Sequence, residues 1–235
     1  DALLDGGPSL RAAVPSLPGL MQRVHARMEA EPLALASTYR GDPVEVQVGG
    51  FAIQMLAGGL IANPSSLALL PSLYLGLEAG DTSPLARFFG RMEAFLDIAG
   101  MPETMDLASG ISPARAALVA EVAPTSVLGD ALNFPMPHLS GVVPGLDLGE
   151  TFRAPLTIDT PALLVAGTLD GRTPLEEQAE VVDQFRNRSR IMVENAGHNV
   201  FEAHPEVQDL LVRFFAGEAV SDTQLTLPPP AFPQA

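Results

Sequence analysis

The amino-acid sequence predicts an α/β fold in which two parallel strands with their helices follow a mainly helical region. The first observation is the uninterrupted apolar run 162–166, which leads to Asp170. The second is the segment 190–194, which leads to a Gly-His turn at His198. Because a helical pattern lies between them, these segments form one βαβ unit. Asp170 and His198 are therefore expected at one edge of a parallel sheet, where open α/β sheets bind their ligands.

Residues 1–150 are predicted to form a mainly helical cap or lid. Apolar stretches with helical spacing recur through this region, at 51–61, 65–79 and 84–99. One strand is expected where Val44, Val46 and Val48 alternate with polar residues. No segment shows the alternation of strands and helices that a doubly wound sheet requires. The sheet is therefore expected in the second predicted part, residues 151–220.

The elements of this second part follow in order. The run 162–166 has no polar alternation, which is typical of a parallel strand covered on both faces. Residues 173–176, Thr-Pro-Leu-Glu, predict a helix start with a hydroxyl cap, an early proline and a capping-box carboxylate. After the strand 190–194, a last helix is expected from Pro205 to a stop at Gly217.

The two ends of the chain carry separate expectations. Residues 221–235 are predicted to form an extended, Pro-rich tail, because four prolines follow Leu227. The opening, DALLDGGPSL, contains neither a starting Met nor a signal peptide, which suggests a processed or truncated product.

Composition excludes several classes of function. The 235 residues include no cysteine, so disulfides, thiolate catalysis and Cys-ligated zinc are excluded. The net charge of −15 repels phosphate backbones, so nucleic acid is not expected as a partner. No run of 18 apolar residues occurs, so no membrane span is expected. The histidines besides His198, namely His25, His138 and His204, make no metal-binding spacing, and neither a metal nor a cofactor is predicted.

Asp170 and His198 are the candidate catalytic residues. Acyl transfer by a serine hydrolase needs a nucleophile, a base, a group that orients the base, and an oxyanion hole. Asp170 suits the orienting acid and His198 the base, whereas the alternative interpretations are a helix-start carboxylate and a surface turn residue. Gly171 and Gly197 are expected to let the backbone turn sharply, so that the carboxylate reaches the imidazole.

A nucleophile that would complete this pair is missing from the chain. The nucleophile elbow has the pattern G-x-S-x-G between a strand and a helix. Ser109, Ser140 and the pair 65–66 all lack glycines at both required positions. Asp170 and His198 thus appear in the sequence without their serine.

Four segments together resemble the peptidase branch of the α/β-hydrolases, which holds the prolyl aminopeptidases and the tripeptidyl-aminopeptidase-like bacterial hydrolases. The segments are GDALNFP (129–135), GTLDGRTP (167–174), ENAGH (194–198) and HPEVQDLL (204–211). The resemblance extends over nearly the whole chain. It implies a cap plus the last two strands of that fold, with Asp170 as the triad acid and His198 as the general base.

A companion polypeptide, the N-terminal half of the same precursor, is expected to supply the serine and the missing strands. Two parallel strands do not form a stable sheet alone. An apolar strand at an open sheet edge would also expose a row of unpaired backbone groups. Cleavage in the loop that enters the cap would produce such a pair of chains.

The leading functional hypothesis is an aminopeptidase that releases residues or short peptides from substrate N-termini. A cap carboxylate would bind the free amine, and six candidates are equivalent in the sequence: Glu45, Glu78, Asp81, Glu93, Asp106 and Asp130. The alternatives are a carboxylesterase of the same fold and a non-catalytic α/β-hydrolase-like interaction module. The resemblance and the absence of cysteine favour export, as a secreted or periplasmic bacterial protein.

Overall fold

The computed structural model describes residues 8–92, 97 and 100–233. The described residues form two compact units. One contains the chain up to Gly58 and Pro71–Ala154, and the other contains Gly59–Leu70 and Pro155–Pro233. The three-part division at residues 150 and 220 stays a prediction. The structure adds that 59–70, which the sequence pattern places in the cap, belongs to the unit with the parallel sheet.

The first unit is mainly helical. Its helices are α1 (Pro8–Ala13), α2 (Leu17–Ala30), α3 (Gly50–Leu60), α5 (Leu70–Glu78), α6 (Ser83–Phe89), α7 (Met101–Ser109), α8 (Pro113–Val122), α9 (Met136–Leu139) and α10 (Gly149–Arg153), and a 3₁₀ turn spans Ala123–Thr125. Helix α3 ends and helix α5 begins within the second unit. The side chain of Ser16 caps α2, and Leu20, Val24 and Met28 are buried along one face of it.

A two-stranded antiparallel hairpin interrupts these helices. Strand β2 (Asp42–Val48) confirms the strand that the alternating valines predict, and it pairs with β1 (Leu33–Tyr39), which was not predicted. Arg40 and Gly41 join the strands with φ angles of 52° and 88°. Positive φ at both positions of a two-residue loop matches the twist of the flanking strands.

The core of the first unit holds one buried pair of polar rings. His25 Nε2 lies 2.6 Å from the hydroxyl of Tyr74, which is completely buried. Burial lowers the pKa of His25, and a hydrogen bond to the Val127 backbone acts in the opposite direction. Burial also raises the pKa of Tyr74. The pair is therefore neutral at pH 7.

The second unit is built on a three-stranded parallel sheet in the order β3-β4-β5. Its elements are α4 (Pro64–Leu67), β3 (Ala162–Gly167), α11 (Leu175–Val182), β4 (Arg188–Glu194), a 3₁₀ turn (Val200–Glu202), α12 (Pro205–Phe215) and β5 (Thr223–Thr226). The two predicted strands and the βαβ unit are confirmed. The last helix starts at Pro205 as expected, and Gly217 beyond it has a φ of 80°.

Strand β5 corrects the expectation of two parallel strands. It lies within the predicted tail 221–235 and pairs with β4 so that Leu225 stands beside Val193. Only Leu225 among its four residues is buried, so the segment carries little apolar signal. The side chain of Asn195 donates to the Leu227 carbonyl (2.8 Å) and secures the end of the strand.

Strand β3 is less covered than its sequence predicts. Ile191 and Val193 of the central strand β4 are fully buried, whereas Leu163, Leu164 and Val165 of β3 are only partly buried. The physical reason is position, because β3 is an edge strand of the sheet that the described residues form. An apolar edge strand of this kind is typical of a site where another strand pairs.

Candidate active site

Asp170 lies just beyond the carboxyl end of β3, with only 8% of its side chain exposed. Its Oδ1 accepts hydrogen bonds from the backbone N–H groups of Arg172 and Thr173, both at 2.9 Å. Its Oδ2 lies 3.0 Å from Nδ1 of His198. One carboxylate oxygen thus holds the Asp170 loop, and the other is available to orient the imidazole.

These contacts change the expected start of helix α11. The helix begins at Leu175, and Pro174 at its N-cap provides no side-chain hydrogen bond. The expected Thr173 hydroxyl cap and capping box are not formed. The Thr173 amide, which a capping box would bond to Glu176, donates to Asp170 instead. Oδ1 of Asp170 therefore accepts the backbone amides that precede the helix, and Oδ2 pairs with His198.

His198 follows β4 through a tight turn, and 43% of its side chain is exposed. The backbone N–H of Asn195 donates to the Thr168 hydroxyl at 2.9 Å, which ties the ends of β3 and β4 together. The backbone N–H of His198 donates to the Ala62 carbonyl at 2.8 Å. Contacts at the side chain and at the backbone therefore fix the ring beside Asp170.

Gly171 and Gly197 are required for a reason other than the sharp turns expected of them. Neither has a positive φ, and the left-handed residue of the turn is Asn195, with a φ of 65°. A Cβ on Gly171 would lie 2.5 Å from the Ile61 carbonyl oxygen, and one on Gly197 would lie 2.6 Å from that of Ala62. Only glycine allows residues 61–62 to approach the loops of Asp170 and His198 so closely.

The segment 59–70 makes contacts with the His198 loop that no sequence pattern predicts. Besides the Ala62 carbonyl, the side-chain oxygen of Asn63 accepts from the backbone N–H of Asn199 at 3.0 Å. These residues are separated by 136 positions in the chain. No local pattern links such distant residues, and the Asn-Pro pair that begins α4 was the only available signal.

The pairing of His198 with Asp170 has a defined chemical consequence. An ionised carboxylate only accepts hydrogen bonds, so the neutral imidazole must carry its proton on Nδ1. Its Nε2 then has a free lone pair and can take a proton from a hydroxyl group. No described residue bonds to Nε2. The geometry suits an acid–base pair, although the catalytic roles of Asp170 and His198 stay a prediction.

The other histidines lie in separate surroundings. His204 Nδ1 accepts from the Glu206 amide at 3.2 Å and caps α12, and His138 Nε2 lies 3.9 Å from Asp130. Within the described ranges, no group of three His, Asp or Glu side chains could hold a metal ion. None of the helices that the structure describes has both the length and the apolar character that a membrane crossing requires.

The six candidate amine-binding carboxylates differ in what they already bind. Glu78 forms an ion pair with Arg23 at 2.7 Å. Asp81 accepts from the Ser83 amide at 2.9 Å at the start of α6, and hydrogen bonds from the Ser83 hydroxyl and amide lower the pKa of Asp81. Glu45 and Asp106 are exposed, Asp130 lies near His138, and Glu93 is outside the described residues.

The comparisons with known proteins agree with the sheet and its loops. Residues 148–224 match the family model of the α/β-hydrolases that is described as TAP-like protein. This span contains β3, β4 and the first two residues of β5, together with Asp170 and His198. No curated protein matches the chain. The chain is therefore the C-terminal part of an α/β-hydrolase fold with a mainly helical cap region, and it is similar to hydrolases of the TAP-like branch.

Proposed function

We propose that this chain supplies the acid and the base of a serine hydrolase that works by Ser-His-Asp acyl transfer. The observation that carries the proposal is the 3.0 Å contact between Nδ1 of His198 and Oδ2 of Asp170. The other oxygen of Asp170 is held by two backbone amides, so the carboxylate is fixed before any substrate binds. A preorganised acid of this kind keeps the imidazole in the tautomer that a general base needs.

In the proposed reaction, a serine hydroxyl attacks the substrate carbonyl carbon while Nε2 of His198 takes the hydroxyl proton. Asp170 stabilises the imidazolium ion that forms. The imidazolium then gives its proton to the leaving amine or alkoxide, and the carbonyl carbon remains bound to serine as an ester. Water cleaves this ester by the same proton transfers through His198, which releases the acid and restores the serine.

The nucleophile is proposed to arrive on a companion polypeptide, the N-terminal half of the same precursor. The partly buried apolar side chains of edge strand β3 support this proposal, because a further parallel strand would cover them more completely. Intact mass and N-terminal sequencing of the purified protein test it. A second polypeptide with a G-x-S-x-G elbow is the expected result, and a preparation of this chain alone would contradict the companion.

The proposed substrates are peptides with a free N-terminus, and the alternative is an ester of the same acyl group. Glu78 and Asp81 already have partners and Asp130 lies 3.9 Å from His138, so Glu45 and Asp106 are the described carboxylates to substitute first, followed by Asp130. If one of them binds the amine, its amide variant should lose about tenfold or more in kcat/KM on an aminoacyl arylamide. A p-nitrophenyl ester without an amine should be unaffected, and Glu78→Gln is the matched control.

Labelling of the assembled protein with a fluorophosphonate tests the reaction class. The serine-bearing chain should be labelled in the wild-type protein, and labelling should be lost in His198→Ala and strongly slowed in Asp170→Asn. Absence of any labelling in the wild-type assembly would favour a non-catalytic interaction module. Faster hydrolysis of esters than of arylamides, without any dependence on the amine, would favour the carboxylesterase.

A further inference from the structure

The loop that carries His198 is held by two backbone contacts besides its bond to Asp170. The His198 N–H donates to the Ala62 carbonyl at 2.8 Å, and the next N–H, that of Asn199, donates to Oδ1 of Asn63 at 3.0 Å. Both acceptors belong to one short turn, residues 62–64. Two successive amides on either side of the imidazole-bearing Cα are thereby fixed to the same piece of chain.

The Asn63 side chain makes this contact in place of the hydrogen bond that is usual for its position in the chain. It occupies the N-cap of α4, where an asparagine side chain normally accepts from an amide of its own helix. Its side chain makes no such bond, and its oxygen accepts from Asn199 instead. The backbone carbonyl of Asn63 accepts from the Ser66 and Leu67 amides of α4.

The turn 62–64 is held in place by hydrogen bonds and by a proline, so it can position another loop. The Ser66 hydroxyl shares its one proton between the carbonyls of Leu60 (2.7 Å) and Asn63 (3.0 Å), and Pro64 fixes the first residue of α4. Gly197 packs directly against it, since a Cβ there would lie 2.7 Å from both Asn63 Cα and Pro64 Cδ. The His198 loop is therefore in direct contact with Asn63 and Pro64.

We propose that Asn63 is a positioning residue for the general base, which rests on the role of His198 proposed above. The Asn63 oxygen holds the His198–Asn199 peptide in one orientation. The imidazole then stays within hydrogen-bonding distance of Asp170, and Nε2 keeps one direction. Without this acceptor the Asn199 amide loses its partner, the loop gains freedom, and the Nδ1–H tautomer is no longer maintained.

Three variants separate positioning from simple destabilisation. Asn63→Ala removes the acceptor, Asn63→Leu removes it while filling a similar volume, and Asn63→Asp retains an oxygen in the same place. Ser65→Ala is the matched control, because Ser65 is an exposed residue of α4 that closely follows Asn63 in the chain. Urea unfolding of each variant reports whether the fold is retained. If Asn63→Ala does not fold, Asn63→Leu provides the test in its place.

The first readout is NMR of the protein as purified, which requires no activity. We expect hydrogen exchange of the Asn199 amide to accelerate by about tenfold or more in the alanine and leucine variants. The His198 ring should also show a mixture of tautomers. The aspartate and Ser65 variants should keep the wild-type values. The proposal would be overturned if Asn63→Ala and Asn63→Leu both kept the wild-type tautomer of His198 and the wild-type exchange rate of the Asn199 amide.

The second readout is catalysis by the assembled protein. The acceptor-free variants should lose about tenfold in kcat with little change in KM, since a displaced base affects the chemical step. Asn63→Asp should restore most of this loss, and equal losses in the aspartate and alanine variants would overturn the positioning role. If the wild-type assembly shows no hydrolysis, the proposed function fails, and the NMR result alone then decides whether Asn63 positions the His198 ring.

Discussion

Gly197→Ala tests the close packing of the His198 loop on residues 62–64 most directly. The new methyl group would meet the Ala62 carbonyl oxygen at 2.6 Å and both Asn63 Cα and Pro64 Cδ at 2.7 Å. Two of these atoms are backbone and the third belongs to a rigid ring, so no rotamer change relieves the contacts. The methyl and the Ala62 oxygen must separate to about 3.4 Å, which displaces the loop by about 0.8 Å.

Two magnitudes follow from this displacement. Overpacking of a tightly fitted site typically costs about 1–3 kcal/mol, and we expect the free energy of unfolding to fall by that amount. A misplacement approaching 1 Å costs about 100-fold in rate when it moves a catalytic group, so kcat of the assembled enzyme should fall accordingly. Urea unfolding measures the first effect, and hydrolysis of an aminoacyl arylamide measures the second.

The matched control is the same substitution at Gly59. This glycine lies in helix α3 with no atom within 4 Å of its Cβ position and no positive φ. Because alanine is a better helix former, Gly59→Ala should stabilise the protein by about 0.5–1 kcal/mol. The two variants should therefore shift stability in opposite directions. A Gly197→Ala protein with wild-type stability would refute the close approach of these two segments.

Three further predictions address other parts of the molecule. Asp170→Asn should leave the two backbone contacts of Oδ1 in place but present an amide to His198, so NMR should show the proton moved to Nε2, with kcat lower by about 10⁴-fold. Burial lowers the pKa of His25, which lies beside Tyr74, in the folded protein. On acidification His25 therefore binds a proton in the unfolded chain before it does so in the folded protein. The free energy of unfolding should fall as the pH drops below about 6.5. In His25→Gln, urea unfolding at pH 7.5 and pH 5.5 should show this part of the pH dependence abolished. Ile191→Ala at the fully buried centre of β4 should lower the free energy of unfolding by about 2–5 kcal/mol, and a smaller loss would contradict its burial.

The core of the second unit was predictable because its signals are local. The apolar run of β3 and the Gly-His turn after β4 indicate a parallel pair directly, and parallel strands bring their carboxyl ends to one sheet edge. The proximity of Asp170 and His198 follows from that topology without knowledge of any other element. The 3.0 Å contact between their side chains agrees with this expectation.

The elements that were missed lack such local signals. Strand β5 has a single buried side chain and exists because the β4 edge supplies its hydrogen bonds. Strand β1 depends on two consecutive residues with positive φ, one of which, Arg40, is not a typical turn residue. The position of Gly197 in a crowded contact, and not in a left-handed turn, depends on residues far away in the chain. Tertiary contacts of this kind leave no periodicity in the sequence.

The path of the chain through its two units has a consequence for recombination between related hydrolases. Residues 59–70 lie among the cap helices in chain order but hold the loop that carries His198. A chimera that exchanges everything before residue 155 would replace this segment with a foreign one. The contacts that hold the His198 loop would then change together with the cap. Crossovers placed at Gly58/Gly59 and Leu70/Pro71 should keep these contacts intact.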